Sequence, residues 1–117
     1  MRKNLGSAAE EAAALFLEEK GIRILERNFR SYHGEIDIIA LEKQRILVVE
    51  VKMRSYRDCG TAAEAVDFRK RKRICYTFNY YRMKHQITEN TEVRFDVIEV
   101  NRDFQCHWIK NAFEFQE

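Results

Sequence analysis

The stretch from Gly34 to Arg54 constrains the fold most strongly, because it places charged side chains where a β-hairpin usually carries apolar ones. Two mainly apolar runs flank the polar turn Glu-Lys-Gln-Arg, as expected for two antiparallel strands. Side chains alternate between the faces of a strand, so one hairpin face, which includes Ile36, is predicted to be wholly apolar. The opposite face begins apolar near the turn and ends in Glu35, Asp37, Glu50 and Lys52.

The register of this hairpin decides which charges meet. A two-residue turn at residues 43–44, or a four-residue loop with the same register, predicts that Asp37 lies opposite Glu50. Glu35 then lies opposite Lys52, whereas an odd-numbered loop or a bulge would shift both pairs. Opposed Cβ atoms lie ~5 Å apart, and like charges there destabilise a sheet. The hairpin therefore needs a compensating group, which could be a divalent cation, a shared proton or the nearby lysine.

Length and composition indicate one globular domain. The 117 residues are 45% hydrophobic and 34% charged. No apolar run approaches the ~20 residues of a membrane span, and no signal-peptide pattern follows the N-terminus. The three cysteines form no CxxC pair, and no cysteine or histidine pair has the short spacing usual for zinc ligands, which argues against zinc and favours free thiols. We therefore expect a cytoplasmic protein with no membrane segment.

Basic residues are concentrated in the middle of the chain. The net charge is +2, but residues 52–85 carry 10 basic and 3 acidic side chains, a local balance of +7. Charge alone favours an ordinary solvated basic helix, with a polyanion-binding surface as the alternative.

Apolar periodicity predicts the element order α-β-β-β-α-β with an optional final strand. The expected ranges outside the hairpin are Leu5 to Lys20 and Thr61 to about Met83 for the helices, and Gly21 to Asn28, Val93 to Val100 and Cys106 to Lys110 for the strands. The stripe expected to pack in the first helix consists of Leu5, Ala9, Ala12 and Phe16. Glu10 lies at its margin and is the glutamate that can reach the sheet.

The second helix supplies both an expected cap and an expected cation. Asp67 is a suitable N-cap within it. Lys70 lies one turn before Ile74, borders the packed face and is best placed to point towards the hairpin. Its tyrosines, Tyr76, Tyr80 and Tyr81, either stack on bases or belong to the core.

The charged hairpin face has the composition of a hard-cation site. Mg²⁺ typically binds one or two carboxylates and completes its shell with water and substrate phosphate, which suits Asp37 and Glu50. Lys52 could then orient or deprotonate a water, or neutralise charge in the transition state. A Glu-x-Lys triplet is not specific by itself, because Glu18 to Lys20 forms another on a helix.

Asp37 followed by Glu50-Val51-Lys52 resembles the PD-(D/E)XK signature of restriction-endonuclease-like nucleases, and Glu10 is similar to the extra acid of archaeal Holliday-junction resolvases. A more specific resemblance, over about residues 5–100, is to the bacterial YraN-like family. It is carried by the segments Gly6 to Glu10, Arg27 to Arg30, Gly34 to Ala40, Val49 to Arg54, Ala65 to Lys70 and Arg94 to Val97.

The resemblance implies a single nuclease-like domain over residues 1–117. Its implied fold class is α/β (an α+β sandwich) of the restriction-endonuclease type, with a mixed central β-sheet flanked by helices. Junction resolvases further suggest a homodimer.

The resemblance also assigns roles to six side chains: the catalytic residues Asp37, Glu50 and Lys52, and the accessory residues Glu10, Glu35 and Lys70. Asp37 and Glu50 are expected to bind Mg²⁺ or Mn²⁺, with the Val51 carbonyl and Glu10 as further ligands. Lys52 corresponds to the catalytic lysine.

Together these features predict a metal-dependent endonuclease that acts on DNA rather than RNA, on branched or single-stranded substrates. The residues expected to bind the nucleic acid are Arg54, Arg57, Lys70, Arg71 and Arg73. Two alternatives remain open. One is a nucleic-acid-binding module with a vestigial, non-catalytic site, and the other is a semi-buried ion-pair cluster that binds no ligand.

Overall fold

The computed structural model describes residues 5–54 and 66–115, with side chains from residue 6 onwards. Its elements are α1 (Leu5–Glu19), β1 (Arg23–Ser31), β2 (Gly34–Glu42), β3 (Arg45–Met53), α2 (Phe68–Lys84), β4 (Val93–Val100) and β5 (Cys106–Phe113). This order confirms the predicted one, including the final strand, which is longer than expected. The predicted start of the second helix at Thr61 lies outside the described residues.

The five strands form one mixed sheet in the order β1-β2-β3-β4-β5. Neighbouring strands are antiparallel except β3 and β4, which are parallel and so require a crossover connection. Helix α2 belongs to that crossover. Its N-cap is Asp67, as predicted, whose carboxylate accepts a hydrogen bond from the Lys70 N–H at 2.9 Å. The α+β class with a mixed, helix-flanked sheet is therefore confirmed.

Each face of the sheet packs against one helix. On one face, Val48, Phe95 and Val97 meet α2 residues such as Ile74 and Phe78. On the other face, Leu47, Val49 and Ile98 meet α1 residues such as Ala13 and Leu17. Strand β3 is buried on both sides, which explains its nearly continuous apolar run. Neither α1 nor α2, the two helices in the described part of the chain, is long and apolar enough to cross a membrane.

The packed side of α1 differs from the predicted stripe. Ala9 of the predicted stripe is buried as expected, but Ala12 and Phe16 are only half-buried, whereas Ala13 and Leu17 are fully buried. The small alanines allow a close approach to the sheet, so the helix turns that side inward and leaves the bulky Phe16 at the edge. As a result, Glu10 lies nearer to the sheet than the predicted stripe implies.

The face of Ile36 was also predicted wrongly. Regular alternation places it with Ile38 and Ala40, but it packs on the α2 side of the sheet while those two pack on the α1 side. The change of face lies beside Asn28 of β1, between Arg27 and Phe29, which are the partners of Ile38 and Ile36. Asn28 has a φ of 53°, a left-handed conformation that asparagine adopts more readily than most residues. Asp37 lies at this change of face.

Asp96 is a buried acid whose bonding is complete. Arg94 donates to its two oxygens through Nε and Nη2, each at 2.8 Å. Trp108 Nε1 donates at 2.9 Å and the Asn111 N–H at 2.8 Å. These bonds tie β4 to β5, so the acid has a structural role.

We expect Asp96→Ala to lower the free energy of unfolding by about 3–5 kcal/mol, because Arg94 loses its two-bond partner and keeps only Glu42 at 3.6 Å, while the Trp108 and Asn111 N–H groups lose their acceptor. Urea denaturation measures this difference. The matched control is Asp103→Ala, at an exposed acid of the β4–β5 turn, which should change stability by less than about 0.5 kcal/mol. Equal effects of the two substitutions would contradict the structural role of Asp96.

Candidate functional site

The hairpin of β2 and β3 opens at the end that carries the acids. Its ladder runs from Glu42↔Arg45 to Ile38↔Val49, which confirms the predicted register and the two-residue turn. The predicted pairing of Asp37 with Glu50 is not part of that ladder. Instead, Asp37 Oδ2 accepts a hydrogen bond from the Val51 N–H at 2.8 Å. A side-chain carboxylate thus replaces a main-chain partner between the two strands.

The predicted pairing of Glu35 with Lys52 is also wrong. Glu35 pairs with Arg30 of β1, whose Nε lies 3.5 Å from the Glu35 carboxylate. Lys52 pairs with Glu99 of β4. The two residues fall beyond the end of the β2–β3 ladder, where the strands follow their other neighbours.

Three acids from two elements meet at this opening. One carboxylate oxygen from each of Glu10, Glu35 and Asp37 lies within 4.8 Å of the others. Asn28 links two of them, since its amide, oriented to satisfy both, donates to Glu35 Oε1 at 2.9 Å and Glu10 Oε2 at 3.2 Å. Glu10 therefore reaches the sheet as predicted, and the three oxygens are close enough to share a cation.

Glu50 lies on the other side of Asp37 and is almost completely buried. Its side chain is 4% exposed, and Oε2 lies 3.4 Å from Lys70 Nζ, which confirms that Lys70 points to the hairpin. Oε1 is buried and has no hydrogen-bond partner among the described residues. A buried carboxylate oxygen without a donor is costly, and most such atoms are satisfied. This oxygen is therefore available to a cation.

Crowding of these acids changes their proton affinity. Burial, and then the nearby Asp37 carboxylate, raises the pKa of Glu10 to about 7. Burial also raises the pKa of Glu50 well above its usual value, and Asp37 adds to this effect while Lys70 opposes it. A divalent cation among the carboxylates would favour the ionised form of both glutamates.

The acids open into a groove with a cationic rim. Its volume is about 490 Å³, and the side chains that α2 contributes include Arg69, Lys70 and Arg73 beside Asp37 and Glu50. Because α2 begins at Phe68, its N-terminus also lies at the groove, where the helix dipole favours an anion. The groove thus combines an acidic base, whose oxygens could hold a cation, with a cationic rim suited to an anion.

The remaining residues of the hairpin signature lie beside this groove. The Val51 N–H donates to Asp37 of β2. In a β-strand, the N–H and C=O groups of one residue point towards the same neighbouring strand, so the Val51 carbonyl also faces the opening between β2 and β3. Lys52 is half-buried, and alternation places it on the same side of β3 as Glu50. It is not among the described residues that line the groove, and it forms no hydrogen bond or ion pair with any of them.

Not every predicted nucleic-acid-binding residue faces the groove. Arg54 pairs with Glu99, and both side chains are mostly buried. Arg71 Nε donates to the Val66 carbonyl at 2.7 Å, and the Arg71 guanidinium packs over an aromatic ring of β5. Lys70 and Arg73 do line the groove. Arg57 lies outside the described residues.

Sequence reasoning missed two residues of the site. Asn28 was available as part of the segment Arg27 to Arg30 that carries the family resemblance, but nothing local indicated its contact with two acids. Arg69 belongs to the basic run of α2, and only the path of the helix shows that it lines the groove.

Residues 9–100 match the family described as "Uncharacterised protein family UPF0102". The chain belongs to this family. It is 44% identical over 117 residues to a UPF0102 protein of Clostridium botulinum strain Loch Maree, covering 96% of this chain and 95% of that protein. It is 45% identical over 112 residues to one from Clostridioides difficile strain 630, covering 95% and 97% of the two chains. The YraN-like resemblance is confirmed, and the matched UPF0102 region contains the acids Glu10, Glu35, Asp37 and Glu50.

We expect Glu10→Gln to change how the stability of this UPF0102 chain depends on pH in the presence of chelator. The raised pKa means that folding favours protonated Glu10, so its contribution is complete below about pH 4.5 and is lost as the pH rises through about 7. Glutamine stays neutral. Thermal unfolding should therefore show a smaller loss of Tm between pH 5 and pH 8 for Glu10→Gln than for the wild type.

The matched control is Glu18→Gln, which removes an exposed carboxylate of the same helix and should follow the wild-type profile. A Glu10→Gln profile parallel to that of the wild type would show that Glu10 titrates normally.

Proposed function

We propose that this protein is a metal-dependent endonuclease that hydrolyses phosphodiester bonds in DNA. The observation that supports this most directly is the buried Glu50 Oε1, which has no donor among the described residues and belongs to a side chain that lines, with Asp37, a groove with a cationic rim. An ion-pair cluster without a ligand would be expected to satisfy that oxygen, as the protein does for Asp96. A DNA backbone supplies the anion that the rim residues favour.

The donor set fits Mg²⁺ or Mn²⁺, because all of its donor atoms are hard oxygens. Asp37, which is grouped with Glu10 and Glu35 and also neighbours Glu50, would hold the ion together with Glu50. The Val51 carbonyl and Glu10 would be further ligands. A bound ion supplies Lewis-acid activation of a phosphoryl oxygen and a more acidic water.

The two lysines have separate tasks in this proposal. Lys70 places its ammonium 3.4 Å from Glu50 Oε2, at the point where an anionic phosphate meets the buried carboxylate. Arg69 and Arg73 hold the neighbouring phosphates along the rim. Lys52, on the same side of β3 as Glu50, orients or deprotonates the attacking water.

A nucleic-acid-binding module without catalysis is the second candidate. The position of Lys52 favours it, because this lysine does not line the groove formed by the described residues. Such a module keeps the cationic rim and its salt-dependent affinity but cleaves nothing with any metal.

Metal binding can be tested without activity. We expect Mn²⁺ or Mg²⁺ to raise the wild-type Tm, since a ligand at 100 times its Kd stabilises the folded state by about 2.7 kcal/mol. Asp37→Asn should lose that shift, whereas Asp103→Asn, at an exposed acid far along the chain, should keep it. A wild-type protein whose Tm does not respond to either metal would support the ion-pair cluster instead.

Cleavage is tested with branched, single-stranded and double-stranded DNA, and with RNA, in Mg²⁺ or Mn²⁺. We expect DNA cleavage by the wild type and a loss of about 10²- to 10⁴-fold in rate for Glu50→Gln and for Lys52→Ala. Glu18→Gln is the control and should retain the wild-type rate. Cleavage that survives both substitutions would indicate a contaminant and sink the assignment. Binding without cleavage in every metal would favour the second candidate.

A further inference from the structure

Three rings form an exposed row from the β1–β2 turn to α2. Tyr32, at the tip of the turn, is 99% exposed. Its ring centroid lies 5.5 Å from that of His33, which in turn lies 5.3 Å from the ring of Tyr76 on α2. Tyr76 is 40% exposed, in contrast to Tyr81, which lies in the core. The row offers aromatic surface that the fold itself does not cover.

The β1–β2 turn, which carries Tyr32 and His33, is fixed against α2. Ser31 Oγ lies 3.0 Å from the hydroxyl of the buried Thr77, and the His33 N–H donates to the same Ser31 oxygen at 3.1 Å. Gly34 permits the close approach, since a Cβ at that position would lie 3.3 Å from Arg73 Cβ. The two turn rings are therefore held at a defined place on the surface by contacts with the helix.

The aromatic row is continuous with the acidic groove. A shallow depression beside the turn is lined by both turn rings and by Arg30, and it shares Gly34, Glu35 and Arg73 with that groove. Arg30 and Arg73 are exposed and cationic. A chain of phosphates that enters the acidic groove would therefore place a neighbouring base over the rings.

We propose that Tyr32, His33 and Tyr76, whose neighbouring ring planes are inclined by 87° and 50°, form a platform of separate stacking faces for unpaired bases, which makes single-stranded nucleic acid the substrate class of the acidic groove. This inference rests on the proposed function. Every base has a π-face that stacks on an aromatic ring, but in a duplex the faces are hidden by neighbouring base pairs. The combination of exposed rings with arginines is typical of surfaces that bind single strands. It does not by itself distinguish DNA from RNA.

The test uses the full chain and a short single-stranded DNA that contains 2-aminopurine, whose fluorescence is quenched when it stacks. Binding is measured in chelator, and again in Ca²⁺, at low salt. We expect quenching with the single strand and not with the matching duplex. Tyr32→Ala and Tyr76→Ala should each weaken single-strand affinity by about 5- to 100-fold, the loss typical of one stacked base.

Three further variants make the result specific. Tyr32→Phe and Tyr76→Phe keep the rings and should retain the wild-type affinity. Phe104→Ala removes an exposed aromatic from the other hairpin turn, which lies on the α1 side of the sheet, and should leave affinity unchanged. Circular dichroism confirms that each alanine variant is folded, as expected from the exposure of both tyrosines.

The outcomes separate this inference from the proposed function. Quenching that depends on Tyr32 and Tyr76, without cleavage in any metal, supports the platform and rejects the endonuclease. DNA cleavage by the wild type, together with unchanged single-strand affinity in both Tyr32→Ala and Tyr76→Ala, rejects the platform alone. Failure of the wild type to bind single strands in either condition also rejects it. A change of oligomeric mass in Tyr32→Ala, with unaltered nucleic-acid affinity, would identify the rings as a protein contact and overturn the proposal.

Discussion

The hydrogen bond from the Val51 N–H to the Asp37 carboxylate is the contact on which the candidate site depends. Asp37 satisfies a main-chain donor where β2 and β3 stop pairing, so an apolar residue there would leave that donor unbonded. Burial raises the pKa of both Glu10 and Glu50, and the Asp37 carboxylate between them raises both pKa values further. One side chain thus ends the ladder and creates the electrostatic strain that a cation would relieve.

Two buried acids of the sheet show how differently a fold can treat a carboxylate. Asp96 receives donors from an arginine, a tryptophan and the main chain, and its charge is matched within β4 and β5. Glu50 is nearly as buried, yet one oxygen meets a single lysine and the other meets no donor in the described part of the chain. Stability accounts for the first arrangement. The second is destabilising unless a proton shared with Asp37 or a bound cation compensates for it.

The parts of the fold that were predicted correctly depend on local pattern. The alternation of Val93 to Val100, the Asp67 cap and the turn at residues 43–44 all follow from neighbouring residues. The errors arise where tertiary contacts decide: Ile36 changes face beside the left-handed Asn28, and Asp37 bonds to a main-chain N–H in place of pairing. The site residues were recognisable as a motif, but the sequence could not show which arginines were already engaged in structural contacts.

Topology explains why acids, cations and exposed rings meet at one edge. The chain leaves β3 at Met53, just after Glu50, and α2 lies in the crossover that leads to the parallel strand β4. The basic first turn of α2 lies beside the buried acid, where Lys70 Nζ is 3.4 Å from Glu50 Oε2. Because β2 is antiparallel to β3, the turn that precedes β2 lies at the same edge. Tyr32 and the Lys70–Glu50 pair therefore lie at the same edge because of the order of the β-strands. A single-stranded nucleic acid that enters the acidic groove from the β1–β2 turn would cross the rings.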